Sequence, residues 1–373
     1  MNNFVNITDV CSEIFAGGDA PKSNMSVTKT DEYKIPIFSN GEADNGLYGY
    51  TNFARVTQPS ITVSARGTIG FVAIRNEPFV PIVRLISLTP DPEKVEIRYL
   101  YYAIQNYKFD GSGTSIPQLT VPMLKKYSFP LPTKEQQLSI IDQLDNVYNL
   151  ISLRKQQLSK LDELVNSRFI ELFGDPETNP YGWESATVGD VCSSIVRGPF
   201  GSALKKEFFV EPDETTYKVY EQKHAIQKSA TIGTYYITAE KFHELRRFEC
   251  VAGDILMSCS GTMGELYQLP EGCEKGLINQ ALCKFTLNKK ILPIVFLTYM
   301  KQTIGNLETK GSGIQNIAAV SYVKAMPINL APMEVQEQFA SFVEQIDKSK
   351  LEIQKSLEKL ETLKKALMQK YFG

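Results

Sequence analysis

The sequence is short of the side chains from which most active sites are built. Only two histidines occur in 373 residues, and none of the six cysteines (Cys11, Cys192, Cys250, Cys259, Cys273, Cys283) forms a Cys-x-x-Cys pair. A zinc centre needs such clusters, so this usage argues against one and fits reduced thiols in a cytoplasmic protein. No Gly-Lys dipeptide occurs, which removes a phosphate loop of the Walker type. No apolar run approaches membrane length. The longest candidate, Ile291 to Met300, contains Pro293 and is expected in a core. The first ten residues hold no basic stretch followed by an apolar one, so no secretory signal is expected. A surplus of one charge is missing too. Residues 1–130 carry 12 Lys+Arg against 12 Asp+Glu, and residues 176–327 carry 16 against 16. No global basic field draws the chain to nucleic acid, so polyanion binding must rest on local patches or on partners.

What is present is a pair of long helical patterns. Leu144, Ile151, Leu158, Val165 and Leu172 recur every seven residues within 133–173. Phe339, Ile346, Ile353, Leu360 and Leu367 do so within 333–372. An apolar repeat of seven keeps one stripe facing a helical partner, so each stretch reads as one strand of a coiled coil, and the chain supplies both strands. Pro132 and Pro332 precede the two stretches, and Gly174 and Gly373 follow them, as expected of helix ends. The two copies also share detail. Glu135-Gln136, Ser139, Gln143 and Asp145 match Glu337-Gln338, Ser341, Gln345 and Asp347, and Leu158 to Leu164 matches Leu357 to Leu363. A helix of about 40 residues is roughly 60 Å long. Such a pair predicts a spacer.

The segments between the helices repeat as well. Asp9-Val-Cys-Ser12-x-Ile14 recurs as Asp190-Val-Cys-Ser193-x-Ile195. Ser64-x-x-Gly67-Thr68-x-Gly70 recurs as Ser258-x-x-Gly261-Thr262-x-Gly264, and Gly111-Ser-Gly113 recurs as Gly311-Ser-Gly313. The layout is a tandem duplication: a globular unit at 1–130, a helix at 131–174, a second unit at 175–327 and a second helix at 328–373. Short apolar runs such as Ile61 to Val63, Gly70 to Ile74 and Phe79 to Leu88, bounded by Gly, Pro and Asn, predict strands. One helix is predicted over Glu93 to Tyr107, opened by Asp91-Pro92. The fold class is therefore α+β, with two β-rich mixed domains and two long helices.

Enzymatic readings find weak footing. Asn179-Pro180-Tyr181 lacks the second proline of an adenine-methyltransferase element. Pro212-Asp213 followed by Glu221-x-Lys223 has the residue types of a Mg²⁺ nuclease site, and Ser258 to Ser260 could hold a nucleophile; none of these is repeated in the other copy as a catalytic set. The glycine segments carry more. Two glycines around a hydroxyl residue let backbone N–H groups approach an anion. This makes Ser64, Arg66, Gly67 and Thr68, and Ser258, Ser260, Gly261 and Thr262, candidates for DNA phosphate contact; taken alone, the pattern fits a tight turn between strands better. A second polar loop adds Ser112, Thr114 and Gln118 in one copy and Gln315 and Asn316 in the other, where the amides suit adenine.

In that order and with that duplication, the chain resembles the DNA specificity subunit of type I restriction–modification systems. The resemblance rests on Ser64-Ala-Arg66-Gly-Thr-Ile-Gly70, on Ser258-Cys-Ser-Gly-Thr-Met-Gly264, and on Phe129-Pro-Leu-Pro-Thr-Lys-Glu-Gln-Gln137 leading into the first helix. It implies two target recognition domains on double-stranded DNA, each reading half of a bipartite site, and two long helices packed antiparallel between them. It implies no catalysis and no cofactor in this chain. S-adenosylmethionine is expected on two modification subunits, and ATP and Mg²⁺ on restriction subunits. The isolated chain is expected to bind DNA weakly and with steep salt dependence. Two other functions fit the same residues: a methyltransferase or nuclease fragment with built-in recognition, and a coiled-coil adaptor that never touches DNA.

Overall fold

The computed structural model describes residues 4–107, 118–175, 178–200, 203–309 and 320–373. Compactness divides the chain into two units, Met1–Gln156 with Ile353–Gly373 and Gln157–Glu352. Both long helices are cut by this division, so each unit holds a piece of each helix.

In the first unit the main sheet is antiparallel, in the order Cys11–Ala16, Ile86–Pro90, Ser60–Val63, Val72–Arg75. One face packs on the helix Ile97–Asn106, burying Ile61, Val63, Ile86, Leu88, Tyr99, Leu100 and Ala103. A smaller sheet pairs Leu47–Thr51 with Ile35–Phe38, and the latter runs parallel to Val80–Pro81. A two-stranded ribbon joins Phe4–Asn6 to Ser128–Pro130. The second unit repeats the main sheet as Cys192–Arg197, Leu282–Leu287, Ile255–Ser258, Leu266–Gln268. It also repeats the ribbon, pairing Glu184–Thr187 with Pro327–Leu330. Its smaller sheet is larger, in the order Tyr236–Ile237, Tyr217–Tyr220, Gly276–Ile278, Glu249–Cys250. The apolar run at Ile291 lies in the core of this unit, where the helix Pro293–Thr309 buries Val295, Phe296, Tyr299 and Met300.

The repeated Asp-Val-Cys-Ser motif is a β-bulge. Pairing slips between Cys11 and Glu13 and again between Cys192 and Ser194. At each bulge the serine hydroxyl donates to a threonine carbonyl on the neighbouring strand, Ser12 to Thr89 at 3.1 Å and Ser193 to Thr286 at 3.0 Å. Both cysteine thiols are pushed up to about 12 by burial, which keeps them protonated and unreactive.

The long helices run Lys134–Phe173 and Met333–Phe372. The first starts on a capping box, with Thr133 Oγ1 accepting from Gln136 N–H at 3.4 Å and Gln136 Oε1 accepting from Thr133 N–H at 3.2 Å. The helices pack antiparallel. In the first unit the Tyr371 hydroxyl donates to Gln143 Oε1 at 2.8 Å, and Lys155 pairs with Glu361 at 3.6 Å. In the second unit Lys350 pairs with Asp162 at 2.5 Å, and Phe169 and Phe173 meet Phe339 edge-on at 5.4 and 5.5 Å.

Leu144, Ile151 and Ile346 are buried, whereas Leu158, Val165, Ile353, Leu360 and Leu367 are half-buried. The buried set is wider than one row. Ile140, Ile141, Leu144, Val147 and Ile151 are buried on the first helix, and Phe339, Val343 and Ile346 on the second, a three–four spacing. Positions that do the same work are Gln137 and Gln336, Ile140 and Phe339, and Phe173 and Phe372. The acidic-glutamine match of Glu135-Gln136 with Glu337-Gln338 therefore lies three residues out of structural register. Surface residues drew that match, and packing does not constrain them. The helix expected from Glu93 begins instead at Ile97. Asp91 closes a turn, its carbonyl accepting from Lys94 and Val95 N–H at 3.0 Å each.

Candidate nucleic-acid interface

The glycine segments sit at the same place in the two main sheets, as the turn from one inner strand to the edge strand. Each turn is closed alike. Ser64 N–H donates to Phe71 O and Gly70 N–H to Ser64 O, both at 2.9 Å; Ser258 N–H donates to Glu265 O and Gly264 N–H to Ser258 O, both at 2.9 Å. Glycine is required because the backbone turns left-handed, with φ of 68° and 84° at Gly67 and Gly70 and of 62° and 79° at Gly261 and Gly264.

These turns sort the candidate residues. Arg66, Gly67 and Thr68 are exposed, as are Gly261 and Thr262, with Ser260 half-buried. Ser64 and Ser258 are fully buried. The Ser64 hydroxyl accepts from Gly41 N–H at 3.2 Å. The Ser258 hydroxyl donates to the Thr262 carbonyl at 2.7 Å and accepts from Glu265 N–H at 3.0 Å. The Ser258 hydroxyl pins its loop from beneath, the Ser64 hydroxyl ties the strand end to Gly41, and burial keeps both from an incoming ligand.

The chain returning towards the first long helix meets the first glycine segment. Leu119 N–H donates to the Ala65 carbonyl at 2.9 Å, and Arg66 Nη2 donates to Gln118 Oε1 at 2.9 Å. Two candidates 52 residues apart in sequence thus form one exposed pair. Ser112, Thr114, Gln315 and Asn316 lie outside the described residues.

Sequence reading missed further side chains beside these turns. Asn40 joins the first glycine segment to the rest of its face: its Oδ1 accepts from Ala65 N–H at 2.7 Å, and its Nδ2 donates to the Val83 carbonyl at 2.6 Å. In the second unit Gln222 approaches Gly261. Its Nε2 lies 3.6 Å from where a Cβ on Gly261 would stand, and its Oε1 is buried without a hydrogen-bond partner. Gln222 opens a short helix anchored by His224. That ring is fully buried, with Nδ1 2.9 Å from Glu221 N and Nε2 2.7 Å from the Ile232 carbonyl. Burial holds the His224 pKa below its ordinary value of 6.5, so the ring is neutral, accepting at Nδ1 and donating at Nε2. Arg197 stacks on Phe200 at 5.4 Å, and Phe200 is 66% exposed. No sequence period marks any of these residues, because each is placed by a long-range contact.

The nuclease-like set is used locally. Asp213 accepts from Thr215 N–H and Thr215 Oγ1, both at 2.7 Å, and Glu221 pairs with Lys223 at 2.6 Å. Among the described residues no group of three or more His, Cys, Asp or Glu is placed to hold a metal ion.

The sequence model of the family described as "Type I restriction modification DNA specificity domain" matches residues 2–163 and again residues 180–365. The chain belongs to this family. Each match takes in one glycine segment and most of one long helix, so the family unit is the repeat itself. A type I specificity subunit of Mycoplasma pneumoniae, S.MpnORF89P, is 35% identical over 168 residues, covering 42% of this chain and 50% of that protein. The chain spans about half the length of the curated relatives it matches first, 50% and 46%. Two solved structures share the fold over nearly all of both chains. The S subunit of a type I restriction–modification system from M. genitalium has a TM-score of 0.55 at 16% identity, covering 100% of this chain and 96% of that one. A chain solved in work on complex assembly and conformational transition of the type I R-M system has a TM-score of 0.62 at 14% identity, covering 99% and 97%.

Proposed function

We propose that this chain is the non-catalytic DNA specificity subunit of a type I restriction–modification complex. Residues 1–130 and 175–327 act as two target recognition domains, each reading one half of a bipartite duplex site. Residues 131–174 and 328–373 form the helical pair that sets the spacing of the half-sites. The observation that carries this reading is the duplicated glycine turn. Within a family of DNA specificity domains, two glycine turns closed by the same pair of backbone hydrogen bonds stand exposed at matching places in two copies, one of them beside an exposed Arg66–Gln118 pair. An exposed glycine turn and a guanidinium suit phosphate, and the amide suits an adenine edge.

The same reading assigns the chemistry to partners. Two modification subunits would bring S-adenosylmethionine, and restriction subunits ATP and Mg²⁺. Support comes from apolar side chains that the helices leave uncovered within each unit. Leu150 and Leu153 are 44% and 54% exposed in the first, and Leu164 and Leu351 are 46% and 51% exposed in the second. Large apolar groups on a charged helix surface suit a protein partner. No helix among the described residues is long and apolar enough to cross a membrane.

Deleting the gene and mapping methylated adenines in the host tests the reading. A two-part methylated motif should vanish on deletion and return on complementation. An adenine methylome that is unchanged by the deletion would overturn it.

A further inference from the structure

The first unit contains a turn whose geometry its own sequence resists. Leu85 N–H donates to the Ile82 carbonyl at 3.0 Å, and both residues between them are left-handed, Val83 with φ 52° and Arg84 with φ 64°. Asparagine and glycine normally fill such a turn. A β-branched residue with positive φ is a genuine outlier.

The neighbours hold the turn in place. Val83 N–H donates to the Gly18 carbonyl at 2.7 Å and Arg84 N–H to the Gly17 carbonyl at 3.0 Å. Asn40 takes the Val83 carbonyl. Gly17 permits the close approach, since a Cβ there would stand 2.4 Å from the Pro81 carbonyl oxygen.

The second copy shows that the scaffold does not need this geometry. It makes the same closure, Leu282 N–H to Asn279 O at 3.1 Å. It also makes the same strand contact, Gly198 N–H to Leu282 O at 3.0 Å, where the first copy has Gly17 N–H to Leu85 O at 2.8 Å. Neither Gln280 nor Ala281 has a positive φ. Strain retained where a relaxed version of the same frame exists points to use.

The strained turn presents Arg84. Its side chain is exposed, and its guanidinium makes no ion pair or hydrogen bond with the described residues. Through Asn40 the turn is bonded to Ala65, the residue before Arg66, so the turn and the glycine segment form one block. The second copy brings an arginine to the matching turn by another route: Arg197 Nε donates to the Gln280 carbonyl at 3.3 Å.

We propose that Val83–Arg84 is a presenting turn, held under strain, that sets Arg84 against a backbone phosphate of duplex DNA beside Arg66. This rests on the reading that the glycine segments face DNA. The test uses the full chain and a fluorescent duplex of mixed sequence at low salt, because a phosphate contact is indifferent to sequence. Val83→Asn keeps the arginine and gives the turn a residue that tolerates positive φ. It should raise the Tm by a few degrees and leave DNA affinity within about twofold. Arg84→Gly, which also suits the turn and so folds, should weaken binding about tenfold and reduce the log–log salt slope by about one. Arg66→Ala is the companion variant. Unchanged binding by Arg84→Gly with weakened binding by Arg66→Ala would overturn the presenting turn and leave the interface standing. Unchanged binding by both would overturn both. Weakened binding by Arg84→Gly alone would overturn the placement beside Arg66 and, with it, the reading that the glycine segment faces DNA. A lower Tm for Val83→Asn would overturn the strain.

Discussion

At the scale of single residues, the glycine turns make a graded prediction. Alanine at a left-handed position costs on the order of 1 kcal/mol or more. At Gly261 that is the main cost, since the nearest atom to an added Cβ is Gln222 Nε2 at 3.6 Å. At Gly264 the Cβ would also stand 2.7 Å from Ile304 Cγ2, adding an overpacking cost of about 1–3 kcal/mol. Thermal denaturation should therefore rank Gly264→Ala below Gly261→Ala. The reverse order would show that the turn is not packed as described. His224 makes a pH prediction. Its folded pKa is depressed, so the stability it contributes is complete above 6.5, its ordinary value, and is lost as pH falls below it. The Tm of the chain should drop between about pH 7 and pH 5 more steeply than that of His224→Gln; parallel curves would contradict a buried neutral ring. Chemistry at this scale was partly legible from sequence. Arg66 and Gln118 could be picked by side-chain type. The role of Ser64 and Ser258 could not, because burial decides whether a hydroxyl serves the loop or the ligand. Val83–Arg84 could not be seen either, since nothing in Ile-Val-Arg-Leu announces a left-handed turn.

At the scale of elements, the two long helices are fastened by one device used twice. Gln137 and Gln336 are each 1% exposed. Gln137 Oε1 accepts from Glu96 N–H at 2.8 Å while its Nε2 donates to the Pro132 and Lys94 carbonyls at 3.0 and 3.3 Å. Gln336 does the same with Leu292 N–H at 2.9 Å and with the Ala331 and Lys290 carbonyls at 2.9 and 3.0 Å. In each copy the amide ties the start of a long helix to the entry of the helix that packs on the main sheet. Either glutamine replaced by alanine leaves buried backbone groups unpaired, at about 2–3 kcal/mol. Chemical denaturation of Gln137→Ala and Gln336→Ala should show losses of similar size, and a loss confined to one copy would break the equivalence. The long helices were legible because forty residues of apolar spacing average out local noise. The apolar run Phe79 to Leu88 was harder, because a single hydrophobic stretch supplies two strands in different sheets, Val80–Pro81 and Ile86–Pro90, with the strained turn between them. Strands of two to five residues in the smaller sheets carry too little alternation to be recognised.

At the scale of the whole molecule, the duplication is the central fact, and sequence displayed it through short motifs in fixed order. Structure adds that the repeated motifs are repeated for physical reasons, a bulge at Cys11 and Cys192 and a left-handed turn at Gly67 and Gly261, and it adds a repeat that no motif marked, the clamp at Gln137 and Gln336. Between them the copies diverge, most clearly in their smaller sheets, and divergent surface on a common frame is what the proposed reading of two different half-sites requires. The balanced charge of 40 Lys+Arg against 42 Asp+Glu bears on affinity. Alone, the chain should bind duplex DNA weakly and lose that binding steeply with salt, and purified modification subunits should tighten it; fluorescence anisotropy across a salt series checks this. The most direct measurement is a domain exchange read by methylome sequencing. Residues 1–130 are replaced by those of a relative with a different motif, and the methylated adenines are mapped in the host. One half of the two-part motif should change while the other half and the spacing between them persist. A change in both halves, or in neither, would contradict the two-domain reading.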